Sequence, residues 1–393
     1  MSQQETVRPW ALAGFLTSLL FLLTYSGFTD VYTTNTPLTA LYYPALFLGV
    51  SWVFLVRSDF CVPREQVWLG ALLVLLAATY LVGSAAIPGG IRYASPPALF
   101  FVITFVALVL IQASMVSTGS LVWALWVAFS IPVTVAMLGQ ILNLVFDFGY
   151  FSGDVQRLIG WAGNPNRLAS LCAISALVSF WLAGVTRFHR GVYWIMGVLA
   201  LLALILTGSR AGLLATLAAL FGMLLFSPKI PIVIKVGIAI LSIVTFVVGY
   251  LAVLDSAFPL WERSSSNEQR IEFYIAGFSV LAGADINQFL FGHGYGAFME
   301  KVGYSSHSSY IRLMVDHGVI FSALFFLLVV WIIFLSLVSR TAISSLVGGG
   351  MIFLLVDSIF STGLFSARAE TMFFLFLLVV GTASVRARRV QLL

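Results

Sequence analysis

The chain has 393 residues, of which 61% are hydrophobic and 9% charged, with a mean hydropathy of +1.05 and a formal net charge of +5. That composition lies far outside the range of a soluble globular domain and excludes a water-soluble enzyme, a disordered chain and a nucleic-acid-binding module as the main architecture. The sequence predicts an all-α polytopic membrane protein.

A helical crossing of the hydrocarbon needs roughly 17 to 25 apolar residues. In chain order, twelve such runs fall near 10–28, 38–55, 67–87, 98–115, 121–144, 168–185, 193–207, 211–226, 230–251, 317–338, 344–364 and 371–385. The first run is long, lacks a basic preceding region and has no small-residue cleavage site, so it reads as a retained helix rather than a signal peptide. Residues 193–207 and 211–226 are short and separated by Gly208, Ser209 and Arg210. Cys61 and Cys172 have no metal-ligand spacing and read as small apolar fillers. Asp357 is the one carboxylate within a predicted span, and the cost of burying it demands an inward-facing position with a partner.

Short cytoplasmic loops retain Lys and Arg. A twelve-helix path starting inside places Arg8, Arg57, Arg64, Arg187, Arg190, Lys229, Lys235, Arg340, Arg386, Arg388 and Arg389 on the cytoplasmic side, which is 11 of the 20 basic residues. Both termini are then cytoplasmic. The basic tail reads as a membrane-surface anchor, with no nucleic-acid partner expected. Residues 1–393 form a single integral domain, and residues 255–317 form a long periplasmic loop. This loop holds 11 of the 35 charged residues and His293, His307 and His317 among the four histidines.

Within the loop, Ser265 and Glu268 have capping-box spacing and predict a helix start. Ile271, Tyr274, Ile275, Phe278, Leu281 and Ala282 then recur at helical spacing, which predicts an amphipathic helix lying on the membrane surface, apolar face down. Phe291-Gly-His-Gly-Tyr-Gly296 reads as a tight turn, and its glycines do not form a nucleotide cradle.

Arg210 lies at the external mouth of two apolar helices. It reads either as a snorkelling anchor or as an anion ligand beside a helix N-terminus. Arg270 reads as an ion-pair partner of Glu268 or Glu272, or as a second guanidinium on one pyrophosphate, since the planar fork matches phosphate oxygens. Arg167, after Gly163-Asn-Pro-Asn166, is a third candidate or an interfacial cap. His307 is either a hydrogen-bonded turn residue or a general base, imidazole being the side chain suited to accept a proton near neutral pH. No HExxH motif, carboxylate pair or His/Cys cluster supports a metal, so neither metal nor other cofactor is expected.

At these residues the chain resembles the O-antigen ligase and polymerase superfamily of bacterial envelope glycosyltransferases. Arg210 and Leu214 match the ligase Arg-x3-Leu pattern. His307, Ser308 and Gly318 match a second pattern of His, then Asn, Ser or Gln, nine residues, Gly, two residues and Gly, Thr or Tyr, from which Phe321 departs. The resemblance implies a GT-C-like fold of about 12 transmembrane helices in the bacterial inner membrane, with a periplasmic active site. It implies a metal-independent inverting glycosyltransferase whose partners are undecaprenyl-pyrophosphate-linked O-antigen, the lipid A-core acceptor and membrane lipids. Arg210 and Arg270 match the arginines that bind the donor pyrophosphate, and His307 matches the proposed general base. Polymerisation of O-antigen units is the alternative within the superfamily, and a polysaccharide or lipid transporter or flippase is the alternative outside it. A transporter is expected to carry coupling charges near the midplane and internal repeats, whereas here the charges gather in one late loop.

Overall fold

The computed structural model describes residues 64–85, 98, 102, 105–106, 109, 118–146, 151–152, 157–158, 164–187, 189–231, 233–237, 240, 264–294, 296–303, 308–361 and 369–392. The predicted runs at 10–28 and 38–55 lie outside the described residues, as do Cys61 and His307.

Helices α1 (Arg64–Ala85) and α2 (Thr118–Phe146) are followed by a two-stranded antiparallel ribbon, β1 (Phe151–Ser152) and β2 (Arg157–Leu158). Next come α3 (Pro165–Val185), α4 (Arg190–Leu206) and α5 (Arg210–Phe226). The polar loop contains α6 (Ser264–Ala282), α7 (Ile286–Phe291) and α8 (Ala297–Val302). The chain then returns through α9 (Ser309–Ser339), α10 (Ala342–Phe360) and α11 (Ala369–Leu392).

Among the described residues, four helices are long and apolar enough to cross a membrane, α2, α3, α9 and α10. The chain is a helical membrane protein. The short runs expected at 193–207 and 211–226 are indeed two helices of 17 residues each. At 1.5 Å per residue each is about 26 Å long, near the lower limit for a crossing.

Helix α3 sits at the centre of the bundle. Its residues are buried nearly all round, including Leu168, Cys172, Ile174, Ala176 and Leu177, and a helix apolar on every face belongs inside. Hydroxyl and indole groups tie it to its neighbours. Trp126 donates to Ser179 at 2.8 Å, Ser130 and Ser175 share a hydrogen bond at 3.1 Å, and Trp181 donates to the Ala342 carbonyl at 2.8 Å.

The most extensive helix pair is α5 against α10. Gly348-Gly-Gly350 explains why these axes approach so closely. A Cβ on Gly348 would run into the Phe226 ring, one on Gly349 would stand 2.7 Å from the Ala219 carbonyl oxygen, and one on Gly222 would stand 2.6 Å from Ile352. In a lipid environment, small residues that allow backbone contact are what drive such pairing. Because Gly222 meets Ile352 while Phe226 meets Gly348, the two helices run antiparallel.

Helix α9 begins eight residues earlier than the predicted span at 317–338, in the polar segment. It is broken at Gly318, whose φ of 79° and ψ of 175° belong to a region that only glycine adopts without strain. The first part of α9 packs with the polar loop in a small core of its own, made of Phe273, Phe298, Ile311 and Val315.

Candidate functional site

Helices α3 and α5 begin side by side. Gly212 in the first turn of α5 leaves room for Ala169 in α3, whose Cβ would be 3.0 Å from a Cβ placed there. Arg167 is the third residue of α3 and Arg210 the first of α5, and both are half-buried. Each helix start is capped by a side chain. Asn164 accepts from the Asn166 amide at 2.9 Å, and Ser209 accepts from the Gly212 amide at 3.3 Å. These caps fix where the following arginines leave the backbone. The macrodipoles add partial positive charge at the same place.

The turn between α4 and α5 is tight because Gly208 takes a left-handed φ of 60°. It is pinned within itself by Thr207, whose hydroxyl donates to the Leu204 carbonyl at 2.6 Å and accepts from the Ser209 amide at 3.3 Å. Arg157 on β2 closes the turn from outside. Its Nε donates to the Thr207 carbonyl at 2.6 Å, and its Nη2 donates to the Asn166 side chain at 3.2 Å.

The second group of residues gathers at the C-terminal end of α10. The Tyr274 hydroxyl on α6 donates to the Ile359 carbonyl at 2.6 Å, and Ser309 on α9 donates to the Ser361 carbonyl at 2.6 Å. Tyr310 donates to the Leu355 carbonyl at 2.5 Å. The carbonyls of Ile359 and Ser361 are among those that the end of a helix leaves without intrahelical partners, whereas the Leu355 carbonyl lies one turn further in. Arg270 lies one turn before Tyr274 in α6. His307 is outside the described residues, but Ser308 and Ser309, which follow it, are buried. Asp357, two residues beyond Leu355, is buried as its position in a span predicted.

The antiparallel α5–α10 contact puts these two groups at one end of the bundle. Arg210 precedes Gly222 by twelve residues, about 18 Å of helix, and Ser361 follows Ile352 by nine, about 13 Å. Since Gly222 and Ile352 are level, Arg210 stands within about a turn of the end of α10. Arg167 and Arg210 therefore begin adjacent helices at the end where α10 holds the helix of Arg270 and the residues after His307.

A third feature supports the polar loop from below. His293 and Gly294 donate their amides to the Val315 and Asp316 carbonyls at 2.9 and 3.0 Å. The break at Gly318 frees these carbonyls from the helix. The approach is so close that a Cβ on Gly292 would stand 2.6 Å from the Asp316 and His317 carbonyl carbons, and one on Gly318 would strike Leu290 and Gly292. The Asp316 carboxylate, fully buried, accepts from Phe298 at 2.9 Å and from Gly296 at 3.1 Å, capping α8, and from Arg312 Nε at 3.2 Å. His317 is buried between the rings of Tyr80, 4.3 Å away, and Phe321, 5.1 Å away. His317 thus has a packing role. Phe321, which departs from the family pattern, is part of the same aromatic stack.

His293 Nε2 and His317 Nδ1 are buried without hydrogen-bond partners among the described residues. Burial, helped by Lys301, lowers the pKa of His293 against the opposing pull of the Val315 carbonyl, Asp285 and Asp316.

Helix α6 starts at Ser264, within one residue of the predicted capping box. Its apolar residues divide into two faces. Phe273, Gly277 and Leu281 turn towards α8 and α9, while Ile271, Ile275 and Phe278 are exposed. The expected single apolar stripe is therefore split between internal packing and an outer face.

Sequence reasoning missed three contributors. Arg157 ranked with every other external arginine. Asp316 was legible only as an i,i+4 partner of Arg312. The hydroxyls of Tyr274, Ser309 and Tyr310 carry no sequence signal for the carbonyls they hold.

The described residues thus form a helical membrane scaffold with Arg167 and Arg210 at two adjacent helix starts. Residues 195–326, about a third of the chain running from α4 into α9, match the family model described as O-antigen ligase. This segment is similar to the O-antigen ligase family, whose members are glycosyltransferase-like enzymes. No curated protein matches the chain.

Proposed function

We propose that the protein is an O-antigen ligase, transferring preassembled O-antigen polysaccharide from undecaprenyl pyrophosphate to a sugar hydroxyl of the lipid A-core oligosaccharide. The observation that carries this reading is the placement of Arg167 and Arg210 at the starts of adjacent helices, level with the end of α10 that anchors the Arg270 helix and the residues after His307. Arg210, Arg270 and Arg167 hold the donor pyrophosphate, where guanidinium forks and helix N-termini stabilise the charge that grows as it departs. His307 takes the proton from the acceptor hydroxyl. The acceptor oxygen forms its bond to the anomeric carbon as the bond from that carbon to the pyrophosphate oxygen breaks, and undecaprenyl pyrophosphate leaves. Direct displacement inverts the anomeric configuration. The arginines supply the positive charge that a divalent cation supplies in other phosphate-handling enzymes, so transfer proceeds without metal.

In this reading both termini are cytoplasmic, which the distribution of Lys and Arg supports, and the helix starts that carry Arg167 and Arg210 face the periplasm of a bacterial inner membrane, as in the family the chain resembles. Deleting the gene and resolving lipopolysaccharide on a gel tests the reading. Complete loss of core-linked O-antigen, with lipid-linked polymer accumulating, is the expected result. Core bearing a single repeat would instead assign the polymerase activity of the same superfamily. Unchanged core-linked polymer would refute both.

A further inference from the structure

We infer that Arg157 is a positioning residue for the pyrophosphate site, a strut that sets the distance and direction between Arg210 and Arg167. The inference rests on the reading that those two arginines hold the donor pyrophosphate. Neither the sequence patterns nor the family match, which begins at residue 195, includes Arg157.

Its geometry is that of a brace. β2 is anchored by Leu158, which is fully buried, and by pairing with β1. From this fixed base the guanidinium reaches two places at once. Nε donates to the carbonyl of Thr207, three residues before Arg210, and Nη2 donates to the side chain of Asn166, the immediate neighbour of Arg167. The stem lies along Gly208, where a Cβ would be 3.3 Å from Nε. The left-handed glycine thus makes room for the arginine as well as for the turn. The Thr207 carbonyl is at the C-terminus of α4, where intrahelical partners run out, and the brace supplies it with a donor. A guanidinium can hold both acceptors because its donors are fixed in one plane. An ammonium offers a single point charge and cannot span them in the same way.

Two converging arginines bind a pyrophosphate bidentately only if their spacing matches it. A link between the turns from which they depart is what holds that spacing. Arg157 acts through Arg210 and Arg167, its Nε and Nη2 being directed at protein acceptors rather than at substrate.

The test is a double-mutant cycle on the full-length protein in nanodiscs, with undecaprenyl pyrophosphate as the probe and its dissociation constant as the readout. Arg157→Ala is expected to weaken binding about tenfold or more, and Arg157→Lys by less. In an Arg210→Ala background the further loss from Arg157→Ala should shrink towards none, because the residue being positioned is gone. A purely structural role would instead lower the melting temperature and leave the two losses additive. If Arg157→Ala fails to fold, Arg157→Gln, which keeps an amide donor, enters the same cycle. Unchanged binding in the Arg157 variants, or full additivity with Arg210→Ala, would overturn the inference while leaving the pyrophosphate reading intact. Unchanged binding in Arg210→Ala alone would remove that reading, and the inference with it.

Discussion

Replacing Gly318 with alanine should release the polar loop from α9 without dismantling the bundle. The backbone at Gly318 lies in a region that costs a side-chain-bearing residue about 1–3 kcal/mol. The added Cβ would also strike Leu290 and the Gly292 amide, so the loop must move away. The movement breaks the bonds from His293 and Gly294 to Val315 and Asp316, each worth about 0.5–1.5 kcal/mol net. The two contributions together are about 2–6 kcal/mol. Every 1.4 kcal/mol is tenfold in an equilibrium, so local opening should become at least about 30-fold more frequent. Hydrogen exchange read by mass spectrometry on the full-length protein gives the measurement. Peptides covering 292–302 should lose protection by that factor, while α3 and α10 stay protected. Wild-type protection of 292–302 in Gly318→Ala would refute the account of the helix break as a docking site.

Three further outcomes follow from the site. His307→Ala should lower transfer by roughly 10²- to 10⁴-fold, the range for loss of a general base, while undecaprenyl pyrophosphate still binds; normal transfer would end the assignment. Purified protein given lipid-linked donor and core acceptor should keep most activity in excess EDTA, whereas EDTA sensitivity reversed by magnesium or manganese would redirect attention to Asp255, Glu262 and Asp285. The lowered pKa of His293 means that the undocked loop binds the proton more readily than the docked one. Docking is therefore strongest above the ordinary histidine value of about 6.5 and weakens as pH falls from there towards the lowered value. Relative to His293→Gln, wild-type protein should lose protection at 292–302 on acidification through this window, and parallel profiles for the two proteins would contradict it.

Much of the scaffold was legible because hydropathy reports burial in lipid directly. The separation of α4 from α5 followed from Gly208-Ser-Arg210, and the start of α6 from Ser265 and Glu268. The start of α9 was not legible. Its first turns are polar, and a helix continues through polar residues wherever its backbone bonds close, irrespective of hydropathy. The Gly318 that reads as an end of the apolar run is instead an interruption within one rod. Arg210 was singled out because an arginine outside runs against the charge rule, Arg270 for a guanidinium that fits a pyrophosphate, and Arg167 for its place at a helix entry. The charge rule applies equally to Arg157, and only its contacts with Thr207 and Asn166 separate it from the other external arginines. His307 rested on side-chain chemistry and the family pattern alone.

The break in α9 also has a bearing on membrane thickness. Thirty-one residues of uninterrupted helix would be about 46 Å long, well beyond the roughly 30 Å of a hydrocarbon core. The 21 residues from Val319 to Ser339 make about 31 Å, a close match. The part of the rod before Gly318 is tied to α10 through Ser309 and Tyr310, so it is held level with the end of that helix instead of standing above it. A thinner bilayer must be met by tilting the rod or by local deformation of the lipid, and tilting would carry with it the break at Gly318 on which the polar loop is seated.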